Sequence, residues 1–435
     1  MPKTKTSEKE FIPLSDRLPQ EEELFSHAEE KFLELASYYG FKKAVARDIE
    51  EARIFQPLFK AEFLEERPFL LSKTKGGSEI AIKPPAVLSF LRSYVLRKIY
   101  DTSQPLKFSF ASSSFFLDPR ARAETIKAEP EFSLLMLDEK GPIAEVEMLF
   151  IIWKTVEELG ILQSSLELRV GATGCLECRS GFRSALNSYL RVRITRMCRN
   201  CRRHFKKAPT KIFKCEDEKC KMVSGRAPQV LDFLCEMCKK HLRGFLEFLD
   251  EFGIPYFLDS RLFREGSWLT HMVFELLLKS EDMPGGENSK MARLAEGGRM
   301  SKAAELITGR PLDAASARLF YQPLAQALRE NNLPLSSATK PKVFLTHLGE
   351  LAKRKSFAIM EMLRLAGIGV EESLGRDSIK SQLKIAEREQ AQVALILGQK
   401  EAIDKTIIVR ELDSGIQETI PQEKMIDFLK RKLKK

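Results

Sequence analysis

The sequence predicts a protein in two parts, an α+β core and a C-terminal α/β unit. The first part is a core of strands and helices that carries a cysteine-rich insertion, and the second is a C-terminal unit whose mixed sheet has helices on both faces. Two observations carry this prediction. Eight cysteines fall in four close pairs between Gly174 and Cys238. From Lys342 onwards, strand and helix patterns alternate along the chain.

Composition and charge set the outer limits. The 435 residues allow two or three domains with an ample core. A hydrophobic content of 43% and a charged content of 30% are typical of a soluble globular protein, and the longest apolar runs fall short of the 18 residues that a membrane span needs. We see no signal peptide and therefore expect a cytoplasmic protein with reduced thiols. The net charge of +10 favours a polyanionic partner.

The chain before the insertion begins with a polar, lysine-rich segment, 1–20, which we expect to be a flexible tail. A helix follows from about Glu21 to Tyr39 and ends at Gly40. The other predicted elements are a strand with a turn at 40–55, a helix at 89–100, strands at 106–118 and 132–139, a helix at 143–161 and a strand at 166–172.

The chain after the insertion begins with one long amphipathic helix, predicted at 229–254. The elements predicted next are strands at 255–263 and 271–279, a turn at 283–289, and helices at 301–307 and 319–332. A Pro/Ser-rich linker at 333–341 marks the domain boundary. We therefore expect a core at 21–332, with its insertion at 174–240, and a separate C-terminal domain at 342–435.

The C-terminal domain shows a regular alternation of patterns. The predicted strands are 342–349, 368–373, 391–399, 405–412 and 415–420, and the predicted helices are 350–367, 378–390 and 422–435. The last two strands form a hairpin through the D-S-G turn at 413–415. Alternating strands and helices imply a mixed sheet with helices on both faces.

The cysteines are spaced as metal ligands often are. Three pairs are C-x-x-C turns, and two such turns complete a tetrahedral zinc site. The candidate ligands are Cys175, Cys178, Cys198, Cys201, Cys215, Cys220, Cys235 and Cys238. His204, three residues after Cys201, is a further candidate. The alternative is that all eight are reduced structural thiols. The spacing does not show which pairs share an ion.

Two basic segments are candidate phosphate contacts. The stretch 191–207 carries eight Lys/Arg and no acid, and Arg199, Arg202 and Arg203 lie at its centre. In the C-terminal domain, the helix that begins near Ser378 has Lys380 and Lys384 on one face. This face is either a solvated helix surface or a second phosphate contact.

The run 378–420 resembles the anticodon-binding domain of histidyl-tRNA synthetases. Upstream, 40–55 is similar to the motif 1 region of that family, the cysteine-rich stretch to its insertion, and 261–275 to its R-G-L-D-Y-Y-x-x-T-V-F-E signature. The resemblance runs from about Glu21 to Lys435. It implies a class II α+β core built on an antiparallel sheet with helices, an anticodon-binding domain, a histidine-type tRNA partner, and a homodimer formed through motif 1.

The family's reaction joins histidine to tRNA through an adenylate. It needs ATP, Mg²⁺ and arginines that stabilise the reacting phosphate. Where the family has L-R-P-E-G-T, this chain has IKPPAV, with Lys83, Pro85 and Val87 at the Arg, Glu and Thr positions. Where motif 2 has F-R-x-E-R-P, it has SFFLDP, so that Phe115 and Leu117 replace the Arg and the Glu.

The remaining family motifs are also altered. Motif 3, G-x-E-R-L, reads FYQPL, so Gln322 and Pro323 stand at its Glu and Arg. Arg264 is retained at the family's catalytic arginine position, although the residues that follow it differ. The G-G-R-Y-D-G loop survives only as Gly297, Gly298 and Arg299, which we expect to form a turn.

Three hypotheses follow. The first is a synthetase-like protein that binds tRNA without catalysing aminoacylation, because the loss of several charged groups is hard to compensate. The second is an active, divergent histidine–tRNA ligase that uses ATP and Mg²⁺. The third is a protein-binding regulator like the regulatory subunit of ATP phosphoribosyltransferase. We expect the first, and Arg264 then has a structural role.

Overall fold

The computed structural model describes residues 17–60, 70–73, 76–82, 85–101, 105–117, 126–206, 208–263, 267–279, 291–330, 342–373 and 378–433. The chain divides into two compact units, Met1–Leu333 and Pro334–Lys435. Most of the predicted tail, the turn at 283–289 and the linker at 333–341 lie outside the described residues. No described helix is long and apolar enough to cross a bilayer.

The first unit is built on an eight-stranded sheet. Its described strands are β1 (Lys42–Lys43), β2 (Ile49–Glu51), β3 (Leu70–Lys73), β4 (Glu79–Ile82), β5 (Leu106–Leu117), β6 (Ile126–Leu137), β7 (Leu166–Gly174), β8 (Tyr256–Leu258), β9 (Thr270–Leu278), β10 (Ala292–Arg299) and β11 (Ala314–Phe320). The large sheet has the order β1-β5-β6-β11-β10-β9-β7-β8, and β2-β4-β3 form a small separate sheet. Only the two edge strands pair in parallel, β1 with β5 and β8 with β7. The antiparallel core that the resemblance implies is therefore confirmed.

Helices cover both faces of this sheet. The described helices are α1 (Pro19–Tyr38), α2 (Gln56–Lys60), α3 (Ala86–Leu96), α4 (Ile143–Glu158), α5 (Leu176–Arg191), α6 (Arg199–His204), α7 (Glu218–Ser224), α8 (Glu236–Glu251), α9 (Ser301–Thr308) and α10 (Tyr321–Glu330). On one face, the Phe132 ring lies 5.2 Å from Phe25 and 5.3 Å from Phe32 of α1. On the other face, Leu135 and Leu137 pack into a core formed with α3 and α9.

Several local predictions were wrong. The segment 229–254 is not one helix: a 3-10 turn at Val230–Phe233 precedes α8, and Cys235 between them is extended. The strand predicted at 255–263 is only Tyr256–Leu258, and the one predicted at 40–55 is two short strands and a 3-10 turn. The helix predicted at 319–332 begins at Tyr321, after β11, and both β10 and β11 were missed.

The second unit confirms the predicted mixed sheet. Its described strands are β12 (Val343–His347), β13 (Val370–Glu372), β14 (Val393–Leu397), β15 (Thr406–Glu411) and β16 (Gln417–Pro421). Its described helices are α11 (Glu350–Leu365), α12 (Ile379–Arg388), α13 (Gln399–Asp404) and α14 (Met425–Leu433). The order is β13-β12-β14-β15-β16, in which the first three strands are parallel and the last two antiparallel to their neighbours.

Helices lie on both faces of this smaller sheet because its strands alternate. Leu345 packs with Ile359 and Met425 on one face, whereas Phe344 packs with Ala386 of α12 on the other. The fully buried Gln382 side chain accepts a hydrogen bond from the His347 N–H at 3.0 Å and donates one to the His347 carbonyl at 2.8 Å. This amide anchors α12 to the sheet.

Candidate functional site

The eight cysteines form two clusters, and the pairing is nested. The outer cysteine cluster joins the first and last pairs, Cys175, Cys178, Cys235 and Cys238. The inner cysteine cluster joins the two middle pairs, Cys198, Cys201, Cys215 and Cys220. Within each cluster the four sulfurs lie within 4.8 Å of one another.

The outer cysteine cluster connects the insertion to the core sheet. Cys175 follows β7 directly and Cys235 precedes α8, each in an extended conformation. The Cys178 sulfur lies 3.4 Å from the Cys175 sulfur and 3.9 Å from the Cys238 sulfur. Gly174 has φ +66°, and a Cβ there would lie 2.4 Å from the Cys178 Cβ, so the turn requires glycine.

The inner cysteine cluster organises the middle of the insertion. The Cys198 sulfur accepts a hydrogen bond from the Cys201 N–H at 3.3 Å, and the Cys198 N–H donates to the Cys220 sulfur at 3.2 Å. The hydrogen bond from the Cys201 N–H lowers the pKa of Cys198 to about 7, because it favours the thiolate. Burial raises the pKa of Cys201.

The sulfur geometry fits a tetrahedral metal ion. Zinc–sulfur bonds of about 2.3 Å give a tetrahedron with edges of about 3.8 Å. The sulfur–sulfur distances of 3.4 and 3.9 Å in the outer cluster and of 3.8 Å between Cys198 and Cys215 lie near that value. His204 is in neither cluster, and its Nδ1 lies 3.0 Å from the Asn200 carbonyl oxygen of its own helix.

A basic arm, which we define as residues 191–206, surrounds the inner cysteine cluster. Its exposed cations are Arg191, Arg196, Arg199, Arg202, Arg203 and Lys206. Among the described residues, none of these six has an ion pair. By contrast, Lys221 of α7, in the same insertion, forms an ion pair with Glu218 at 2.7 Å. The charges of the basic arm therefore face solvent without a counter-charge from the described chain.

The candidate basic residues of the second unit lie on α12. Lys380 and Lys384 are exposed one turn apart, on the side of the helix opposite the buried Gln382 and Ala386. Neither lysine forms an ion pair with another described residue. The predicted face is thus accessible to a polyanion.

A row of polar side chains crosses the core sheet. Ser133 of β6 lies opposite Arg318 of β11, and Arg318 lies opposite Glu296 of β10. Because side chains alternate along a strand, Glu129 and Glu131 lie on the same face, next to Ser114 and Ser112 of β5. We call this set the polar face of the core sheet.

Arg318 is the centre of the polar face. Its Nη1 donates to Glu131 Oε2 at 2.9 Å, and its Nη2 donates to Glu296 Oε1. The guanidinium carbon lies 4.9 Å from the Trp268 ring centroid. Both carboxylates are almost completely buried. Burial also raises the pKa of the neighbouring Glu129. The arrangement is a buried ion network that the sequence analysis did not identify.

Arg299 lies in a strand, so the turn expected at Gly297–Arg299 was wrong. Its side chain is buried and donates to Glu145 of α4 at 2.8 and 2.6 Å and to the Gly141 carbonyl at 2.6 Å. His241 of α8 lies 3.0 Å from the same carboxylate. Arg299 therefore links the sheet, α4 and the helix that follows the insertion.

Comparison with known proteins identifies relatives over nearly the whole chain. Residues 342–432 match the family model described as an anticodon binding domain. The chain is 26% identical over 420 residues to the histidine–tRNA ligase of Pelotomaculum thermopropionicum, covering 96% of each protein, and 27% identical over 419 residues to that of Halothermothrix orenii, covering 96% of this chain and 97% of that one.

Solved structures show the same fold. The histidyl-tRNA synthetase of S. aureus, in its apo form, superposes with a TM-score of 0.73 at 24% identity, covering 95% of this chain and 97% of that one. The resemblance to histidyl-tRNA synthetases is confirmed. An ATP phosphoribosyltransferase regulatory subunit/histidyl-tRNA synthetase from Bacillus halodurans matches with a TM-score of 0.60 at 14% identity, covering 90% and 98%.

The strands that carry the histidyl-tRNA synthetase motifs border the polar face. The motif 2 run begins in β5, the three glycine-loop residues lie in β10, and the motif 3 run extends from the end of β11 into α10. Phe115 pairs with Ala128, so by alternation it lies on the face opposite Ser112 and Ser114. A one-residue shift of the alignment in either direction places Ser114 or Phe116, not an arginine, at the motif 2 position.

The other altered positions are distributed around the first unit. Pro85 and Val87 are buried at the start of α3, Gln322 is exposed on α10, and Pro323 is half-buried beside it. Arg264 and Lys83 lie outside the described residues, and Leu117 is the last residue of β5.

The hydroxyls of Ser112 and Ser114 and the indole N–H of Trp268 are buried without a hydrogen-bond partner in the described chain.

Proposed function

We propose that this chain is a histidyl-tRNA synthetase relative that binds tRNA and does not catalyse aminoacylation. The observation that carries the proposal is the Glu131–Arg318–Glu296 network on the strands that bear the family's motifs. A guanidinium of the chain itself donates hydrogen bonds to both carboxylates. The charges of this face are therefore engaged within the fold rather than with a substrate.

The sequence at the motif positions supports the same conclusion. Adenylate formation brings the histidine carboxylate to a phosphate, and arginines must stabilise the charge that develops. Phe115 and Pro323 stand at the two arginine positions that the resemblance assigns to ATP. Losing one such preorganised group costs about 3–4 kcal/mol at the transition state. Two losses together reduce the rate by several orders of magnitude.

Two features support tRNA as the partner. Residues 342–432 match an anticodon binding domain, and α12 of that unit exposes Lys380 and Lys384. The basic arm adds Arg199, Arg202 and Arg203, which have no ion pair among the described residues. Contacts from lysine and arginine to phosphates give an affinity that falls steeply as salt rises.

The test measures chemistry and binding separately. Purified protein is assayed for histidine-dependent exchange of pyrophosphate into ATP, and for tRNA binding between 50 and 200 mM salt. For a protein that makes several phosphate contacts, the affinity falls by about 10³-fold or more as salt rises over this range. We expect no exchange above background and salt-sensitive tRNA binding. Robust exchange would refute the loss of catalysis, and absence of tRNA binding at low salt would refute the RNA function.

The second candidate function is an active histidine–tRNA ligase with ATP and Mg²⁺. It is favoured by the relatives, because proteins named histidine–tRNA ligase match this chain over nearly its full length. Arg264 is then the retained catalytic residue. Pyrophosphate exchange that is lost in Arg264→Gln would establish this function. If both exchange and tRNA binding are absent, a regulatory protein–protein function becomes the remaining hypothesis.

The proposal includes two zinc ions, one in each cysteine cluster. When bound, zinc would cross-link its four thiolates and stabilise the fold around them. The outer cysteine cluster would hold the ends of the insertion to β7 and α8. The inner cysteine cluster would hold the segments around the basic arm. Reduced structural thiols are the alternative, and metal analysis separates the two.

We further propose that the chain is a cytoplasmic homodimer in which 342–435 forms a separate anticodon-binding-type domain after the linker 333–341. Dimerisation through the motif 1 region is supported by two exposed apolar side chains there, Val45 and Ile49. Light scattering at micromolar concentration tests this proposal, and a monomeric mass would contradict it.

A further inference from the structure

Two thiols of the inner cysteine cluster lie side by side and are partly open to solvent. Cys198 and Cys215 come from segments 17 residues apart, and their sulfurs are 3.8 Å from each other. Both residues are half-buried, whereas the other two members of the cluster, Cys201 and Cys220, are buried. The inner cysteine cluster therefore offers an oxidant in solution a pair of neighbouring sulfurs rather than a single one.

The charges near Cys198 differ from those near the half-buried thiols of the outer cysteine cluster. Arg196 and Arg199 lie on either side of Cys198 in the sequence; both are exposed, and neither has an ion pair among the described residues. In the outer cysteine cluster, each half-buried cysteine is followed within two residues by an acid, Glu177 or Glu236. Positive charge near a sulfur favours the reactive thiolate. Cys198 is thus the half-buried cysteine with the most positive neighbours.

We propose that Cys198 and Cys215 form an oxidative modification site, at which a peroxide converts the two thiols to a disulfide. The Cys198 thiolate attacks one peroxide oxygen: an S–O bond forms, the O–O bond breaks and hydroxide leaves, which gives a sulfenic acid. The Cys215 thiolate then attacks the Cys198 sulfur, an S–S bond forms, and a second hydroxide leaves. The two sulfurs together lose two electrons, and the peroxide gains them.

This disulfide is incompatible with a cluster of four thiolates. A disulfide holds its two sulfurs about 2.05 Å apart. In the structure the sulfurs of Cys198 and Cys215 are 3.8 Å apart, near the edge length of a tetrahedral zinc site. Forming the bond brings them closer by about 1.7 Å and removes two of the four ligand sulfurs. The chemistry itself needs no metal, but an ion held by the four thiolates would be released.

Cys198 also precedes the helix that carries the arginines of the basic arm. It is the N-cap of α6, and its sulfur accepts a hydrogen bond from the Cys201 N–H at 3.3 Å. Helix α6 has six residues, and a helix of that length is not stable by itself. Its position therefore depends on the cluster, and oxidation should displace Arg199, Arg202 and Arg203. This regulatory consequence rests on the proposed tRNA binding, whereas the disulfide does not.

Peptide mapping of the full wild-type chain tests the disulfide. The reduced protein is treated with increasing amounts of hydrogen peroxide, the remaining thiols are alkylated, and the peptides are analysed by mass spectrometry. We expect the Cys198–Cys215 disulfide to form first and to be reversed by a thiol reductant, while the outer cysteine cluster is recovered as alkylated thiols. If the protein holds zinc in the inner cluster, that ion should be released together with disulfide formation. The proposal is overturned if no disulfide forms, or if the first one joins cysteines of the outer cluster or Cys198 and Cys201.

Two matched variants identify the attacked sulfur. Cys215→Ser removes the second thiol, so the sulfenic acid at Cys198 should persist and react with dimedone. Cys235→Ser removes a half-buried cysteine from the outer cysteine cluster instead, and it should still form the Cys198–Cys215 disulfide. Cys215→Ser without a dimedone adduct at Cys198 would overturn the assignment of Cys198 as the attacked residue. The wild-type peptide map needs no substitution, so it decides the proposal even where a variant fails to fold.

The affinity of reduced and oxidised wild-type protein for tRNA tests the regulatory consequence. We expect oxidation to weaken tRNA binding by about tenfold or more, since each charge-assisted contact that is lost accounts for about tenfold, and a thiol reductant should restore it. Equal affinity of the reduced and oxidised forms would overturn the regulation. If the reduced protein binds no tRNA, the proposed RNA function fails, while the peptide map still decides whether the disulfide forms.

Discussion

Replacing Arg318 by alanine tests whether its contacts with Glu131 and Glu296 on the polar face of the core sheet stabilise the fold. The substitution leaves Glu131 and Glu296 buried, close together and without the cation that both contact. Removing one partner of a buried ion pair costs about 3–5 kcal/mol, because the remaining charge is desolvated and uncompensated. That loss is a large share of a typical stability of about 5–15 kcal/mol.

Urea unfolding followed by tryptophan fluorescence measures this loss. Both tryptophans, Trp153 and Trp268, lie in the first unit, so the signal reports on that unit alone. With a slope of about 2–3 kcal/mol per M, Arg318→Ala should lower the urea midpoint by roughly 1–2.5 M.

Two further variants test the reasoning. Arg293→Ala removes a second arginine that contacts Glu296, at 3.0 Å, but 42% of its side chain is exposed, so we expect a loss below about 1 kcal/mol. The triple variant Arg318→Met/Glu131→Gln/Glu296→Gln removes the buried charges together and should recover most of the stability. If Arg318→Ala loses less than about 1 kcal/mol, the network does not stabilise the fold and the argument fails.

Three other predictions concern pH dependence, metal content and tRNA binding. Burial lowers the pKa of His271 to about 4, so between about pH 6.5 and 4 the unfolded chain binds a proton that the folded chain does not. The free energy of unfolding should therefore fall by up to about 3 kcal/mol as pH decreases over that range. His271→Asn, in which asparagine tolerates the positive φ, should remove this part of the pH dependence in denaturant titrations. Metal analysis of wild-type protein should give two zinc equivalents, and Cys198→Ser/Cys201→Ser should lose one while the outer cysteine cluster keeps the other; metal-free wild-type protein of unchanged stability would favour reduced thiols. Charge reversal at Lys380 and Lys384, or at Arg202 and Arg203, should weaken tRNA binding and reduce its salt slope, whereas reversal at the ion-paired Lys221 should not; equal effects at all three places would contradict a specific surface.

The strands and helices of the second unit could largely be predicted from the sequence, because its local hydrophobic patterns agree with its tertiary structure. Val343–His347 and Val393–Leu397 are short apolar runs buried on both faces, as the central strands of a mixed sheet require. The amphipathic helices between them bury one face each. The D-S-G turn then places the last two strands antiparallel.

The two missed strands of the core, β10 and β11, lack the residue types from which strands are usually predicted. β10 reads ARLAEGGR and β11 reads AASARLF, both poor in the β-branched residues that mark strands. Packing explains the small residues: a Cβ at Gly297 would lie 2.4 Å from the Phe274 ring. Close approach of the neighbouring side chains selected glycine and alanine, and this tertiary requirement has no local periodicity.

The nested cysteine pairing and the Arg318 network depend on contacts that sequence spacing does not reveal. Cys178 and Cys238 are 60 residues apart, and Arg318 and Glu131 are 187 residues apart. Cys235 also interrupts the helical pattern that predicted one helix at 229–254, because it is extended at a point where the apolar periodicity of the sequence continues.

The polar face of the core sheet also limits how catalysis would be regained under the proposed function. Glu131 and Glu296 are buried, so each needs a cation nearby. Arg318 supplies that charge from within the chain, and unlike a bound ligand it cannot leave the site. Restoring an arginine at Phe115 alone would place its side chain on the opposite face of β5, away from this network. Removing Arg318 alone would leave two buried carboxylates without the cation that they share, at a cost of about 3–5 kcal/mol. A single substitution at either position therefore does not place a free catalytic arginine on the polar face.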